Sequence, residues 1–385
     1  MYGGNGLARL DGRVVLVPFV LPGERIRAVA EREKPGLVRA RAVETIEASA
    51  ERVTAPCPYF GRCGGCHYQH APYEFQLVAK RSILAEELRR LGRIEPPGEI
   101  AMVAGEPFGY RNRVQLHVER GRIGYREAGS HKLCGIRECP IASPKLNQAI
   151  AALAGMVGNA RWPRFLHSLE LFSDEQAVQL NALETDAPLA RRFFDWCGEA
   201  IPGLVSGTLD YQGRYRVSAR SFFQVNRFLI DGLVEAAVDG SAGETAADLY
   251  AGVGLFSLGL ARRFGKVHAV ESGAGAVRDL EFNAARAGCA NVSAEVATAE
   301  DYLSRLDRAP DLVLLDPPRA GLGKVVTRRL SELQPPHITI VSCDPATLAR
   351  DLAALLAAGY RLDKLTLVDL FPQTFHLETI VRLSR

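Results

Sequence analysis

Apolar and polar residues follow three different rhythms along the chain. Over residues 1–50 they alternate in short runs: Arg13-Val14-Val15-Leu16-Val17-Pro18-Phe19-Val20 and Glu24-Arg25-Ile26-Arg27-Ala28-Val29 flank the turn signal Leu21-Pro22-Gly23. Gly36-Leu37-Val38-Arg39-Ala40-Arg41-Ala42-Val43 continues the alternation. Period-two alternation puts Arg39 and Arg41 on one side of a strand, so a small β-barrel with a basic face is expected. Residues 55–72 are rich in Pro and Cys. Leu77, Leu84, Leu88 and Leu91 then recur at helix spacing until Gly92 and Pro96-Pro97-Gly98 end the pattern. Residues 108 to about 235 are mixed, with a strand at Arg113–Val118 and a helix from Lys145 to Met156. From 245 strand and helix alternate: Thr245–Tyr250, a helix through Ala261, then apolar strands at Lys266–Glu271, Asp311–Asp316 and His337–Cys343. Each strand leads into a polar loop and a helix, the signature of a parallel, doubly wound sheet.

Composition agrees with buried cores. The chain has 385 residues, 47% hydrophobic and 24% charged, which excludes wholesale disorder and suggests two or three domains. No apolar run approaches a membrane span, and Met1 opens onto glycines and arginines rather than a secretion signal. A cytoplasmic protein without membrane contact is expected. The net charge of +3 hides an asymmetry: residues 1–145 hold 23 Lys+Arg against 16 Asp+Glu, residues 146–385 hold 24 against 28. A basic front half points to a polyanionic partner, although a chance excess of solvated arginines gives the same sum. The eight cysteines are Cys57, Cys63, Cys66, Cys134, Cys139, Cys197, Cys289 and Cys343. Without a secretion signal they read as ligands or nucleophiles rather than as a disulfide framework.

Chemistry gathers where strands of the second half end. Asp248-Leu249-Tyr250-Ala251-Gly252-Val253-Gly254 occupies a strand-to-helix turn, and Glu271 ends the next strand 23 residues after Asp248. That is the spacing at which a carboxylate holds ribose hydroxyls. The third glycine of a pyrophosphate loop is missing, which favours a nucleoside such as S-adenosylmethionine over NAD. Asp316-Pro317-Pro318-Arg319-Ala320-Gly321 closes another strand, placing Asp316 against cofactor or substrate. Cys343 ends a further strand just before a helix at Pro345. A helix N-terminus lowers a thiol pKa, so Cys343 is the candidate nucleophile, against the plainer reading of a buried structural cysteine. Glu378 opens the last strand amid apolar neighbours, where desolvation raises a carboxyl toward the pKa of a working base; a solvated charge is the plain alternative.

Cys57-Pro58-Tyr59-Phe60-Gly61-Arg62-Cys63-Gly64-Gly65-Cys66 has the spacing C-x5-C-x2-C. Three thiolates in a glycine-rich loop suit an iron–sulfur cluster whose fourth ligand is Cys134 or Cys139. Zinc in a Cys3His shell with His67 or His70 is the competing reading.

Together these residues resemble the RNA 5-methyluridine methyltransferases, the TrmA/RumA family. The motifs that carry the likeness are Asp316-Pro317-Pro318-Arg319-Ala320-Gly321, Ser342-Cys343-Asp344-Pro345-Ala346-Thr347 and Asp369-Leu370-Phe371-Pro372-Gln373-Thr374-Phe375-His376-Leu377-Glu378. Ser221-Phe222-Phe223-Gln224-Val225-Asn226 resembles the segment that closes over the cofactor. The resemblance implies uridine C5 methylation in RNA through a Cys–C6 adduct, with Cys343 as nucleophile and Glu378 as proton acceptor. It implies that Gln224, Tyr250, Glu271 and Asp316 line the S-adenosylmethionine site. The iron–sulfur branch has its fourth cysteine in a Cys-Pro-Ile context, which selects Cys139, so Cys57, Cys63, Cys66 and Cys139 would hold a [4Fe–4S] cluster. The implied architecture is α/β multidomain: a TRAM (OB-like) RNA-binding β-barrel at 1–50, whose start is close to its second strand and so short or truncated; a central α/β domain with the cluster at 51–220, whose helix at about 73–92 could pack on the catalytic unit; and a Rossmann-like class I methyltransferase domain at 221–385. The combination leans toward 23S rRNA over tRNA as target, and a monomer is expected. Three positions depart from the family pattern: Asp344 where Asn is usual, Val341 where an aromatic is usual, and Thr298 where an Asp or Asn meets the adenine. A methyltransferase for exocyclic amines and a non-catalytic iron–sulfur RNA-binding protein are the alternatives.

Overall fold

The computed structural model describes all 385 residues. The N-terminal segment is a four-stranded sheet in the order Asn5–Leu10, Arg13–Pro18, Leu37–Glu47, Arg25–Lys34. Its two outer strands do not pair with each other, so the expected barrel is an open sheet, and Asn5–Leu10 adds a strand that alternation left unnoticed. The basic face is largely neutralised. Of the eight basic residues in 1–50, Arg13, Arg25, Arg27 and Arg41 reach Glu33, Glu47, Glu44 and Glu31. The positive excess therefore lies mainly in residues 51–145, with 15 basic against 10 acidic side chains.

The central unit is a six-stranded sheet ordered Leu204–Val205, Val178–Thr185, Leu166–Ser173, Arg113–Glu119, Arg122–Arg126, Leu133–Gly135. Helices Pro144–Met156 and Arg191–Ala200 pack on it, and Leu116, Ile150, Leu169 and Cys197 share one core. Ser143 starts the first helix by accepting the amide of Leu146 at 3.4 Å.

The largest sheet has eight strands: Val292–Val296, Phe264–Glu271, Gly243–Leu249, Leu312–Leu315, His337–Ser342, Glu378–Ser384, Arg361–Val368 and Ala101–Val103. Glu378–Ser384 alone runs antiparallel to its neighbours. Both faces are covered. Ala247, Leu249, Val313, Leu315, Ile338 and Ile340 enter one core, while Ala246, Leu312, Leu314 and Val341 enter another. This two-sided burial is why the strands read as unbroken apolar runs. Helix Tyr73–Glu87 and the wide turn Leu88–Gly92 lie on the same sheet, with Ile83, Leu84 and Leu88 packed among Leu315, Leu348 and Leu352. Residues 73–103 thus accompany the C-terminal sheet rather than the central one. No helix is long and apolar enough to cross a membrane.

Candidate active site

Parallel strands end at one edge of the sheet, and the antiparallel strand begins there. Pairing of Ser342 with Thr379 sets Glu378 beside Cys343, and Leu312–Leu315 brings Asp316 to the same edge. The three acids influence one another. Enclosure lifts the Cys343 thiol to about 11, with Glu378 and Asp316 adding to the rise and Arg319 opposing it. Glu378 is 4% exposed, and enclosure followed by Asp316 raises its carboxyl well above the usual range. Asp316 is raised to about 7, first by enclosure and then by Asp248. Asp248, fully buried and bonded by the Ser257 hydroxyl at 2.5 Å, is also raised to about 7 by enclosure. A cluster of acids that resist ionisation suits a site that receives a cation.

The helix dipole does not activate the thiol as the sequence suggested. Asp344 caps helix Pro345–Ala357 by accepting the amides of Ala346 and Thr347 at 3.0 and 2.9 Å. The free N–H groups that would attract a thiolate are used by this carboxylate. Cys343 therefore keeps its proton at neutral pH.

Beside the acids lies a narrow crevice of ≈ 30 Å³ lined by Phe222, Phe223, Gln224, Tyr250, Gly252 and Asp316. Gln224 donates to Asp316 at 3.4 Å. Tyr250 takes the left-handed conformation (φ 64°), and its phenol is raised to about 12 by burial, Glu300 and Asp351. Glu271 accepts the amides of Gly252 at 3.1 Å and Gly273 at 2.8 Å, bracing the glycine turn from the next strand. Gly254 sits at φ 93°, where a Cβ would come within 3.0 Å of Leu280. The crevice is far smaller than the ~300 Å³ of a usual ligand site. The structure gathers Gln224, Tyr250, Glu271, Asp316, Cys343 and Glu378 at this edge. Thr298 stands apart: its hydroxyl accepts the amide of Asp301 and caps a helix.

The cysteine loop faces a second cavity, of ≈ 420 Å³, lined by Cys57, Cys63, Cys66 and Cys139 but not by Cys134. The loop is stitched to the neighbouring strands by Gly64 N–H to Arg126 and Ala128 N–H to Arg62. Cys134 instead accepts a two-pronged bond from Arg62 at 3.3 Å. Burial and mutual proximity raise Cys63 and Cys66 to about 12. His67 lines the cavity; His70 does not. No three His, Cys, Asp or Glu side chains are grouped to hold a metal ion as they stand.

Three features of the active-site surroundings escaped sequence reading. Lys80 and Asp369 form a fully buried ion pair at 2.6 Å, and Lys80 also donates to the Phe371 carbonyl at 2.9 Å. Gln76 accepts the amide of Gln373 and donates to its side chain, both at 3.0 Å. The amides of His67 and Tyr68 meet the Gln373 carbonyl at 2.8 and 3.0 Å, tying the segment after Cys66 to the loop before Glu378. Polar Gln76 and Lys80 on an otherwise leucine-striped helix were the available signal. Tyr2 is the third feature; its hydroxyl donates to Asp344 at 3.4 Å.

Residues 204–385 match the family described as tRNA (Uracil-5-)-methyltransferase. An uncharacterized RNA methyltransferase of Aquifex aeolicus is 33% identical over 424 residues, covering 100% of this chain and 96% of its own. The 23S rRNA (uracil(1939)-C(5))-methyltransferase RlmD of Halomonas elongata is 35% identical, covering 99% and 87%. This chain belongs to the RNA uracil-5 methyltransferase family. A solved family structure, the Pyrococcus abyssi tRNA (uracil-54, C5)-methyltransferase in complex with S-adenosyl-L-homocysteine, superimposes with a TM-score of 0.77 at 27% identity, covering 99% of this chain and 98% of that one. The family activity is RNA uracil-C5 methylation.

Proposed function

We propose that the enzyme transfers a methyl group from S-adenosylmethionine to C5 of a uridine in RNA, with Cys343 as nucleophile, Glu378 as proton acceptor, and Gln224, Tyr250, Glu271 and Asp316 lining the cofactor site. The observation that carries the proposal is the gathering of Cys343, Glu378 and Asp316 within electrostatic reach of one another at one sheet edge, next to the Gln224–Tyr250 crevice. C5 of uracil is too weak a nucleophile to take a methyl group unaided. Addition of the Cys343 sulfur to C6 moves the ring's π electrons to C5 and makes it one. S-adenosylmethionine supplies an electrophilic methyl on a sulfonium. The protein's own residues do the rest: a positive charge beside Asp316 and Glu378 would draw both raised carboxyls toward their ionised forms, the Asp316 carboxylate takes the Cys343 thiol proton as sulfur adds to C6, and after C5 has gained the methyl group the Glu378 carboxylate takes the C5 proton so that the C6–S bond breaks and the thiolate leaves. The target base must leave its stack to reach Cys343, which favours single-stranded or loop uridines.

The donor set of the second cavity fits a [4Fe–4S] cluster held by Cys57, Cys63, Cys66 and Cys139. Buried polar atoms without partners surround it: Gln69 Nε2, Arg111 Nε, Tyr125 hydroxyl, His67 Nδ1 and His117 Nδ1. Several are donors, and the partly buried Arg111 guanidinium has no carboxylate partner, so an anionic, acceptor-rich occupant suits them. Four thiolates around a cluster supply such a charge, and its bridging sulfides would add acceptors that a single zinc ion lacks. We infer a target in large-subunit rRNA rather than tRNA because the RlmD relatives are 35% identical to this chain, against 27% for the Pyrococcus abyssi tRNA enzyme over a similar extent.

5-Fluorouridine-substituted RNA tests the chemistry, because fluorine at C5 cannot leave as a proton. The expected result is a covalent protein–RNA complex that requires S-adenosylmethionine and vanishes in Cys343→Ala; methylation surviving in Cys343→Ala would overturn the assignment. Glu378→Gln should accumulate the same adduct on ordinary RNA. Transcribed 23S rRNA and tRNA, offered separately with labelled methyl donor, decide the target.

A further inference from the structure

Tyr2 lies in the turn that leads into the first strand of the N-terminal sheet, yet its side chain lies at the active site. Its hydroxyl donates to Asp344, the residue after Cys343, at 3.4 Å. Both Cys343 and Arg319 lie within electrostatic reach of the phenol. The ring meets Phe375 edge-on, with centroids 5.5 Å apart at 87°. Phe375 in turn meets His67 at 4.5 Å and His376 at 4.3 Å. Three distant segments thus contribute four half-buried rings to one ledge at the mouth of the Cys343 site. Arg319, exposed and without a carboxylate partner, stands beside it, close enough to act on Tyr2, Cys343 and His376. Burial and surrounding cations hold His376 at about 4, so at neutral pH its ring is uncharged and presents a flat face.

Flat uncharged rings beside a free guanidinium are what an unstacked nucleotide needs: π-faces for the base and a cation for its phosphate. We propose that the Tyr2–Phe375 ledge is a stacking subsite for the base adjoining the target uridine, with Arg319 on the intervening phosphate. Tyr2 is then a positioning residue through which the N-terminal sheet helps hold the flipped uridine over Cys343. This rests on the uridine methylation reading above. The neighbour's stacking compensates for the stacking that the flipped base gives up.

The test uses the full chain and 23S rRNA transcript. Tyr2→Ala and Tyr2→Leu both lose the flat ring, and Leu keeps the apolar contact that maintains the fold; Tyr2→Phe keeps the ring and loses only the bond to Asp344. Loss of one base–aromatic stack corresponds to roughly a 5- to 100-fold effect. The expected result is a rise of that size in KM for RNA in Tyr2→Ala and Tyr2→Leu, unchanged KM for S-adenosylmethionine, and Tyr2→Phe within about twofold of wild type. A purely structural role would move both KM values and the melting temperature together, in all three variants, and would overturn the proposal. So would a wild-type RNA KM in Tyr2→Leu. Wild-type enzyme incubated with fluorouridine RNA separates the two levels. An adduct with no Tyr2 effect removes the stacking subsite alone, whereas no adduct in the wild type removes the methylation reading and the subsite with it.

Discussion

The raised acids at the sheet edge make the charge of the cofactor measurable. S-adenosylmethionine carries a sulfonium; S-adenosylhomocysteine differs by lacking that methyl and its positive charge. Asp316, raised to about 7 by burial and by Asp248, is partly protonated at neutral pH. A neighbouring cation lowers a carboxyl pKa by about 1–3 units. With a fall of about two units, S-adenosylmethionine affinity rises about tenfold between pH 6 and pH 8, and binding at pH 7 releases about half a proton. The sign follows from the raised pKa: below about 7 the carboxyl is neutral and gives the cation nothing, and above it the carboxylate is already formed. Affinity therefore climbs through that window and levels off. S-adenosylhomocysteine should show a much flatter profile. Calorimetric titration of both ligands, in two buffers of different ionisation heat, measures affinity and proton release together. Parallel profiles for the two ligands, with equal proton release, would refute the argument. Asp316→Asn should abolish the difference between them.

Other outcomes follow from individual contacts. Lys80→Met leaves the Asp369 carboxylate buried without its cation and should cost about 3–5 kcal/mol in urea denaturation, most of it regained in Lys80→Met/Asp369→Leu. Gly254→Ala puts a side chain at φ 93° and a Cβ against Leu280, and should lower stability by about 1–2 kcal/mol and weaken cofactor binding measured by calorimetry. Asp344→Ala removes a helix cap worth about 1 kcal/mol, whereas Asp344→Asn should stay within a few tenths by thermal unfolding.

The parallel strands were readable because both of their faces are buried: Leu312–Leu315 could hardly be anything but apolar. The short strands Ala101–Val103 and Leu133–Gly135 were not, since three residues carry no period and their pairing is decided by partners far along the chain. The gathering of Asp316, Cys343 and Glu378 followed from strand-end positions and the family motifs together. The state of the thiol did not. Sequence showed a helix start after Cys343, but only the fold reveals that Asp344 takes the amides and that Glu378 and Asp316 push the proton onto sulfur. Tyr2 was invisible for a different reason: nothing local to a glycine-rich segment announces a contact 342 residues away.

The strand Ala101–Val103 has a consequence for biosynthesis. It leaves the ribosome early, yet the strand it pairs with, Arg361–Val368, is made more than 250 residues later and is itself joined to the rest of the sheet only through Glu378–Ser384. The largest sheet can therefore be finished only after Glu378–Ser384 has been made. A nascent chain stalled anywhere before Glu378 lacks the strand through which Arg361–Val368 and Ala101–Val103 join the rest of the sheet.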